Sequence, residues 1–164
     1  MKVNRKFILI LIFLVYANDL FAFQENNVPD LVLFFGRFHP VLLHLPIGGL
    51  VVIFCMDIIG RKRSNYPKNL IVDALGITAL FTIITAILGY CLSLEGGYGE
   101  QPLQVHKIAG IIMTILTIGL YVSAKSKDKS IARLYYPLYG LVLLTTIVTG
   151  HYGSILTHGE DFLT

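Results

Sequence analysis

The chain has 164 residues, 55% of them hydrophobic and 14% charged, with a formal net charge of +3. The apolar residues fall in blocks about as long as a bilayer is thick, which excludes an ordinary soluble domain. The basic residues cluster in two short loops beside those blocks, a pattern of membrane orientation that argues against a nucleic-acid partner.

In chain order, residues 1–22 predict an export signal. Lys2, Arg5 and Lys6 form a positive head, residues 7–16 an apolar core, and Ala22 a small residue at a cleavage point after the polar pair Asn18 and Asp19. An uncleaved anchor helix is the alternative and gives the same orientation. Residues 23–36 form an extracytoplasmic lead-in whose apolar part, from Leu31 to Phe35, is too short to span a bilayer; it lies in the interface or extends the first helix outward.

A four-helix membrane domain over 37–157 follows, with a tail at 158–164. Helix A is expected over 40–60, with Pro40 at its start, Pro46 bending it, and Gly48 and Gly49 permitting close approach. Helix B is expected over 70–94, helix C over 103–124 and helix D over 134–155. The A–B loop carries Arg61, Lys62, Arg63 and Lys68, and the C–D loop Lys125, Lys127, Lys129 and Arg133. The B–C loop carries Glu95 and Glu100 and no basic residue. By the positive-inside rule the two basic loops are cytoplasmic. Asp57 and Asp73 then meet Arg63 or Lys68 near the inner surface. Tyrosines mark both interfaces: Tyr90, Tyr98 and Tyr152 outside, and Tyr121, Tyr135 and Tyr136 inside. Short loops make consecutive helices antiparallel neighbours, so the expected fold is an all-α, up-down four-helix transmembrane bundle in a bacterial inner membrane. No internal repeat is evident beyond a proline at the start of helices A and C. Cys55 and Cys91 lie towards opposite faces and lack a C-x-x-C-H or zinc pattern, so neither a disulfide nor covalent haem is expected.

Within this topology the five histidines share one side. His39 and His44 open helix A, His106 opens helix C, His151 lies in the last turns of helix D, and His158 lies at or past its end. Imidazoles are costly in hydrocarbon without partners. Singly, each has a structural explanation: His39 caps a helix, His151 bonds a neighbour. Together they suit two chemistries. One is b-type haem held by two axial histidines, whose Cα atoms are then about 12–13 Å apart, a span that suits diagonal helices. His44 and His106 on helices A and C are the expected axial pair. His151 or His158 then serves a second haem or a propionate, and Arg37 is the natural propionate partner. The other chemistry is a mononuclear metal site of several histidines with Glu160 or Asp161. Phosphate-loop, dinucleotide, zincin and nucleophile-elbow motifs are absent, so the isolated chain is not expected to be an enzyme.

The stretches Gly36-Arg-Phe-His-Pro-Val-Leu-Leu-His-Leu-Pro-Ile-Gly48 and Gly150-His-Tyr-Gly-Ser-Ile-Leu-Thr-His-Gly-Glu-Asp-Phe-Leu163 resemble a bacterial multi-helix membrane domain of unknown function. That domain is often fused or adjacent to planctomycete-type cytochrome c domains. His39, His44, His106 and His158 match its histidine positions; Leu45 and Ser154 depart from its phenylalanine and second glycine. The resemblance implies a respiratory setting with a periplasmic or membrane-bound cytochrome c-type partner. Two functions are expected on these grounds: a haem-binding electron-transfer subunit, or a non-redox scaffold whose histidines pack the helix ends and anchor a partner.

Overall fold

The computed structural model describes residues 28–61 and 67–159. The expected export signal, Lys62, Arg63, Glu160 and Asp161 lie outside the described residues. The elements are all helical: α1 Asp30–Gly36, α2 His39–Leu42, α3 His44–Gly60, α4 Lys68–Ser93, α5 Glu100–Lys125, α6 Lys129–Ala132 and α7 Tyr135–His158. Four helical stretches, Asp30–Gly60, Lys68–Ser93, Glu100–Lys125 and Lys129–His158, are long and apolar enough to cross a membrane. Antiparallel and sequential, they form an up-down four-helix transmembrane bundle.

The surface explains the composition. Only 17–33% of each span's most apolar window is buried, and Ile77, Leu80, Ile87, Leu144 and Ile147 point outward. In water such a surface would be unfavourable; in lipid it is the solvated face. The interior is small and mixed. Leu50, Ile53, Ile71, Leu75, Leu120, Tyr135, Tyr139 and Val142 form the core. Among them sit threonines whose hydroxyls donate to their own helix: Thr78 to the Ala74 carbonyl, Thr82 to Thr78 and Thr117 to Met113, each at 2.8 Å. Such bonds let a hydroxyl pack in a dry interface with its proton satisfied.

The first span begins earlier than expected. The lead-in extends helix A outward as α1, where buried Gly36 lies so close to α4 that a Cβ would sit 2.5 Å from the Leu92 nitrogen. The helical ladder is interrupted at Leu43, between α2 and α3, next to the gap left by buried Pro46, which has no N–H to give the Leu42 carbonyl.

The expectation of no internal repeat is corrected. Residues 76–89 (GITALFTIITAILG) and 140–153 (GLVLLTTIVTGHYG) align 64 positions apart with glycine at both ends and a shared Thr-Ile-x-Thr-x-x-x-Gly. The buried positions follow: Ile71, Leu75 and Thr78 correspond to Tyr135, Tyr139 and Val142. In the preceding helices, with an offset of 67, Pro46, Leu50 and Ile53 correspond to Met113, Thr117 and Leu120. The bundle is thus two equivalent hairpins, α1–α4 and α5–α7. The repeat is hard to see in sequence because lipid-facing positions drift among Ile, Leu and Val, while burial selects only every third or fourth residue.

One tyrosine expected at the inner interface is also reassigned. Tyr135 is buried in the core, and Tyr136 donates to buried Asp57 at 2.8 Å. Asp57 is paired by Arg61, at 3.6 Å, within its own helix. Cys55 and Cys91 are free thiols.

Candidate functional site

The site forms where the two hairpins meet, at the end of the bundle opposite the basic loops. His39 opens α2 directly before Pro40, and its Nδ1 lies 2.9 Å from the Thr85 carbonyl on α4. His106 lies in the second turn of α5, and its Nδ1 lies 2.9 Å from the Thr149 carbonyl on α7. A carbonyl only accepts, so each ring donates from Nδ1–H. The neutral imidazole then carries its lone pair on Nε2. Both rings are half-buried, with centres 6.1 Å apart and planes at 89°.

The repeat accounts for this pairing. Offsets of 67 and 64 carry His39 to His106 and Thr85 to Thr149. One turn beyond each threonine stands a glycine against the ring. A Cβ on Gly89 would come within 2.8 Å of His39 Cε1 and Nδ1, and one on Gly153 within 3.1 Å of His106 Cε1. The Thr-x-x-x-Gly element therefore does two things: its carbonyl sets the ring's tautomer and direction, and its missing side chain makes the space the ring fills. The Thr85 hydroxyl is buried with no hydrogen-bond partner among the described residues.

Of the expected residues, His39 and His106 are brought together. His44 is not: it is exposed on α3, one turn further along than His39. The structure thus brings His39, not His44, beside His106, because α1 and α2 lengthen the first span and put His39 at the level of His106. His39 does not cap its helix; its ring reaches across to α4. His151 is exposed and stacks edge-on against neighbouring Tyr152, with ring centres 5.4 Å apart, and its ring bonds no neighbouring helix among the described residues. His158 is the exposed last residue of α7. Arg37 pairs with Glu95 at 2.6 Å, tying α1 to the loop after α4. Lys107, next to His106, lies over the Tyr90 ring at 5.0 Å. Sequence reasoning missed Thr85, Thr149, Gly89 and Gly153; the signal available was the repeated Thr-x-x-x-Gly.

The donor set can be compared with what an iron porphyrin or a simple metal ion requires. Metal–imidazole bonds of about 2 Å place the ring centres of two opposed ligands about 6 Å apart. The His39 and His106 ring centres, 6.1 Å apart, match that spacing. Among the described residues, no three His, Cys, Asp or Glu side chains gather to hold a metal ion. Comparison with known proteins returns no matching family model, no matching curated protein and no matching solved structure.

Proposed function

We propose that this chain is a membrane electron-transfer subunit that holds one b-type haem between His39 and His106. The observation that carries the reading is the imidazole pair: ring centres 6.1 Å apart, each Nδ1–H committed to a helix carbonyl. A backbone anchor on the far nitrogen is the arrangement that orients a ligating histidine and raises its basicity. Bound haem would supply a one-electron couple. The protein's own part is to fix the two ligands, exclude lipid from the iron, and offer cations at the mouth, where Lys107 and the Arg37–Glu95 pair stand.

The positive-inside rule puts the histidine end on the extracytoplasmic side of a bacterial inner membrane, since the loops with Arg61, Lys68, Lys125, Lys127 and Lys129 lie at the other end. The partner on that side is a c-type cytochrome, periplasmic or membrane-bound, as the resemblance of the histidine motifs implies.

The scaffold reading has one observation of its own. Gly89 and Gly153 receive the two imidazoles closely enough for the rings to serve as packing wedges alone. A reduced-minus-oxidised spectrum and a pyridine haemochrome assay separate the two. The parent protein, expressed with ample haem, should show a low-spin b-type spectrum that His39→Ala and His106→Ala each abolish and His44→Ala retains. A colourless parent would leave the scaffold. A full spectrum surviving in both His39→Ala and His106→Ala would reject the pair.

A further inference from the structure

We propose that the seam between α3 and α7 binds an anionic phospholipid at the end of the basic loops, with the phosphate held between Arg61 and Arg133 and the acyl chains lying along α7 towards the middle of the bilayer.

The two seams between the hairpins are counterparts under the repeat, yet they are built differently. α4 packs closely on α5, whereas the backbones of α3 and α7 scarcely approach one another. Long side chains join α3 to α7 instead: Tyr139 reaches the Leu50 carbonyl and the Phe54 ring, and Tyr136 reaches Asp57. At the basic end this seam is open. Tyr136 is 40% exposed, and a Cβ on Gly140 would meet nothing within 4 Å.

The cations stand at that opening. The Arg61 guanidinium lies 4.3 Å over the Tyr136 ring, with its Nε turned to the buried Asp57 carboxylate. Its side chain is still 51% exposed, and its terminal nitrogens bond no described residue. Arg133 stands one turn before Tyr136, and Lys129 one turn before Arg133, so the three share a face of the last span. Both cations are exposed, and neither forms an ion pair among the described residues. The carboxylates of this end are engaged elsewhere. Asp57 holds Tyr136 and faces Arg61, Asp128 accepts from the Ser130 N–H at 2.7 Å, and Asp73 stands on α4 near Lys125. Beyond Tyr136 the same face becomes apolar and exposed, through Gly140, Leu144 and Ile147.

The ligand that complements this face carries one uncompensated phosphate charge at the interface and apolar chains below it. Guanidinium groups suit a phosphate because their N–H forks match its oxygens, and basic pockets between spans at the cytoplasmic surface take acidic headgroups. Phosphatidylglycerol has such a charge. Phosphatidylcholine does not, because its own choline neutralises the phosphate. A soluble phosphate lacks the chains that would cover Leu144 and Ile147.

The test is native mass spectrometry of the whole chain in detergent, with equal amounts of dioleoyl phosphatidylglycerol and dioleoyl phosphatidylcholine. Phosphatidylglycerol should be retained over phosphatidylcholine by roughly twentyfold, the share of two unneutralised cations. Arg133→Gln should cut that preference about fivefold, and Lys129→Gln/Arg133→Gln should bring the two lipids level. Gly140→Leu, which crowds the chain track, should lower the total lipid retained. Lys68→Gln, which removes a cation of the same end on α4, should leave the preference as it was. Glycerol 3-phosphate should not displace the lipid. A parent that retains both lipids equally, or a preference that survives in Lys129→Gln/Arg133→Gln, would overturn the site. A preference that falls as far in Lys68→Gln would also overturn it, by showing diffuse surface charge. Displacement by glycerol 3-phosphate would overturn the lipid assignment in favour of a soluble anion. The His39→Ala/His106→Ala protein should keep the full preference, so the lipid site stands or falls apart from the haem.

Discussion

The hydroxyl of Tyr136 on α7 donates to the carboxylate of Asp57 on α3, at 2.8 Å. The guanidinium of Arg61 completes a triangle, with its Nε 3.6 Å from Asp57 and its central carbon 4.3 Å above the Tyr136 ring. One turn deeper, the Tyr139 hydroxyl donates to the Leu50 carbonyl at 2.8 Å. These bonds join the first and last spans at the end of the bundle away from the histidines. A fully buried carboxylate is tolerated there because it is bonded and faces a cation.

Tyr136→Phe should therefore lower stability by about 1–3 kcal/mol, the cost of leaving a buried acceptor short of a donor. Asp57→Asn, which keeps an acceptor for the tyrosine, should cost less than Asp57→Ala. Thermal unfolding in detergent checks the order. An unchanged midpoint in Tyr136→Phe would mean that the triangle does not hold the two spans together.

The glycines behind the imidazoles should be sensitive to one methyl group. Gly89→Ala places a Cβ 2.8 Å from His39 and should displace the ring from the Thr85 carbonyl, costing about 1–3 kcal/mol through overpacking. Gly153→Ala, at 3.1 Å from His106, should do less. In a double-mutant cycle, adding His39→Ala to Gly89→Ala should recover most of the loss. Imidazole nitrogen NMR offers a second readout, the disappearance of the protected Nδ1–H signal of His39.

At the outer edge, Gly36→Ala and Arg37→Ala should differ sharply. The first drives a Cβ into the α4 backbone at Leu92 and should lift α1 away, seen as faster amide exchange over residues 30–36. The second removes an ion pair whose arginine side chain is 63% exposed, and should cost at most about 1 kcal/mol.

The two-hairpin architecture predicts that the connection between the halves can be cut. Gly96 and Gly97, with φ of 78° and 80°, form the loop between them, and neither packs against a side chain. A protease site inserted between the two glycines should be cleaved with both fragments still co-eluting on gel filtration in detergent, because the hairpins interlock through the core. Fragments that separate on cleavage would show that the loop, not the interface, keeps the halves together.

The sequence by itself determined the class of fold. Runs of about twenty apolar residues can only become helices in a bilayer, where backbone groups must be satisfied internally, and short loops make those helices antiparallel. The basic loops and the histidines at opposite helix ends were legible for the same reason: position along an apolar span fixes depth. What the sequence did not contain was lateral information. In lipid both faces of a helix are apolar, so hydrophobic periodicity no longer marks the inner face, and nothing in the run from Arg37 to Gly49 said which histidine points inward. The tertiary structure decided that through backbone contacts. The close approach of Gly36 to Leu92 lengthened the first span, the Thr85 and Thr149 carbonyls claimed His39 and His106, and the glycines one turn on made room for their rings. His44 was left facing outward. Each of these depends on a carbonyl or a missing side chain from a distant helix, which no local pattern around the histidines records.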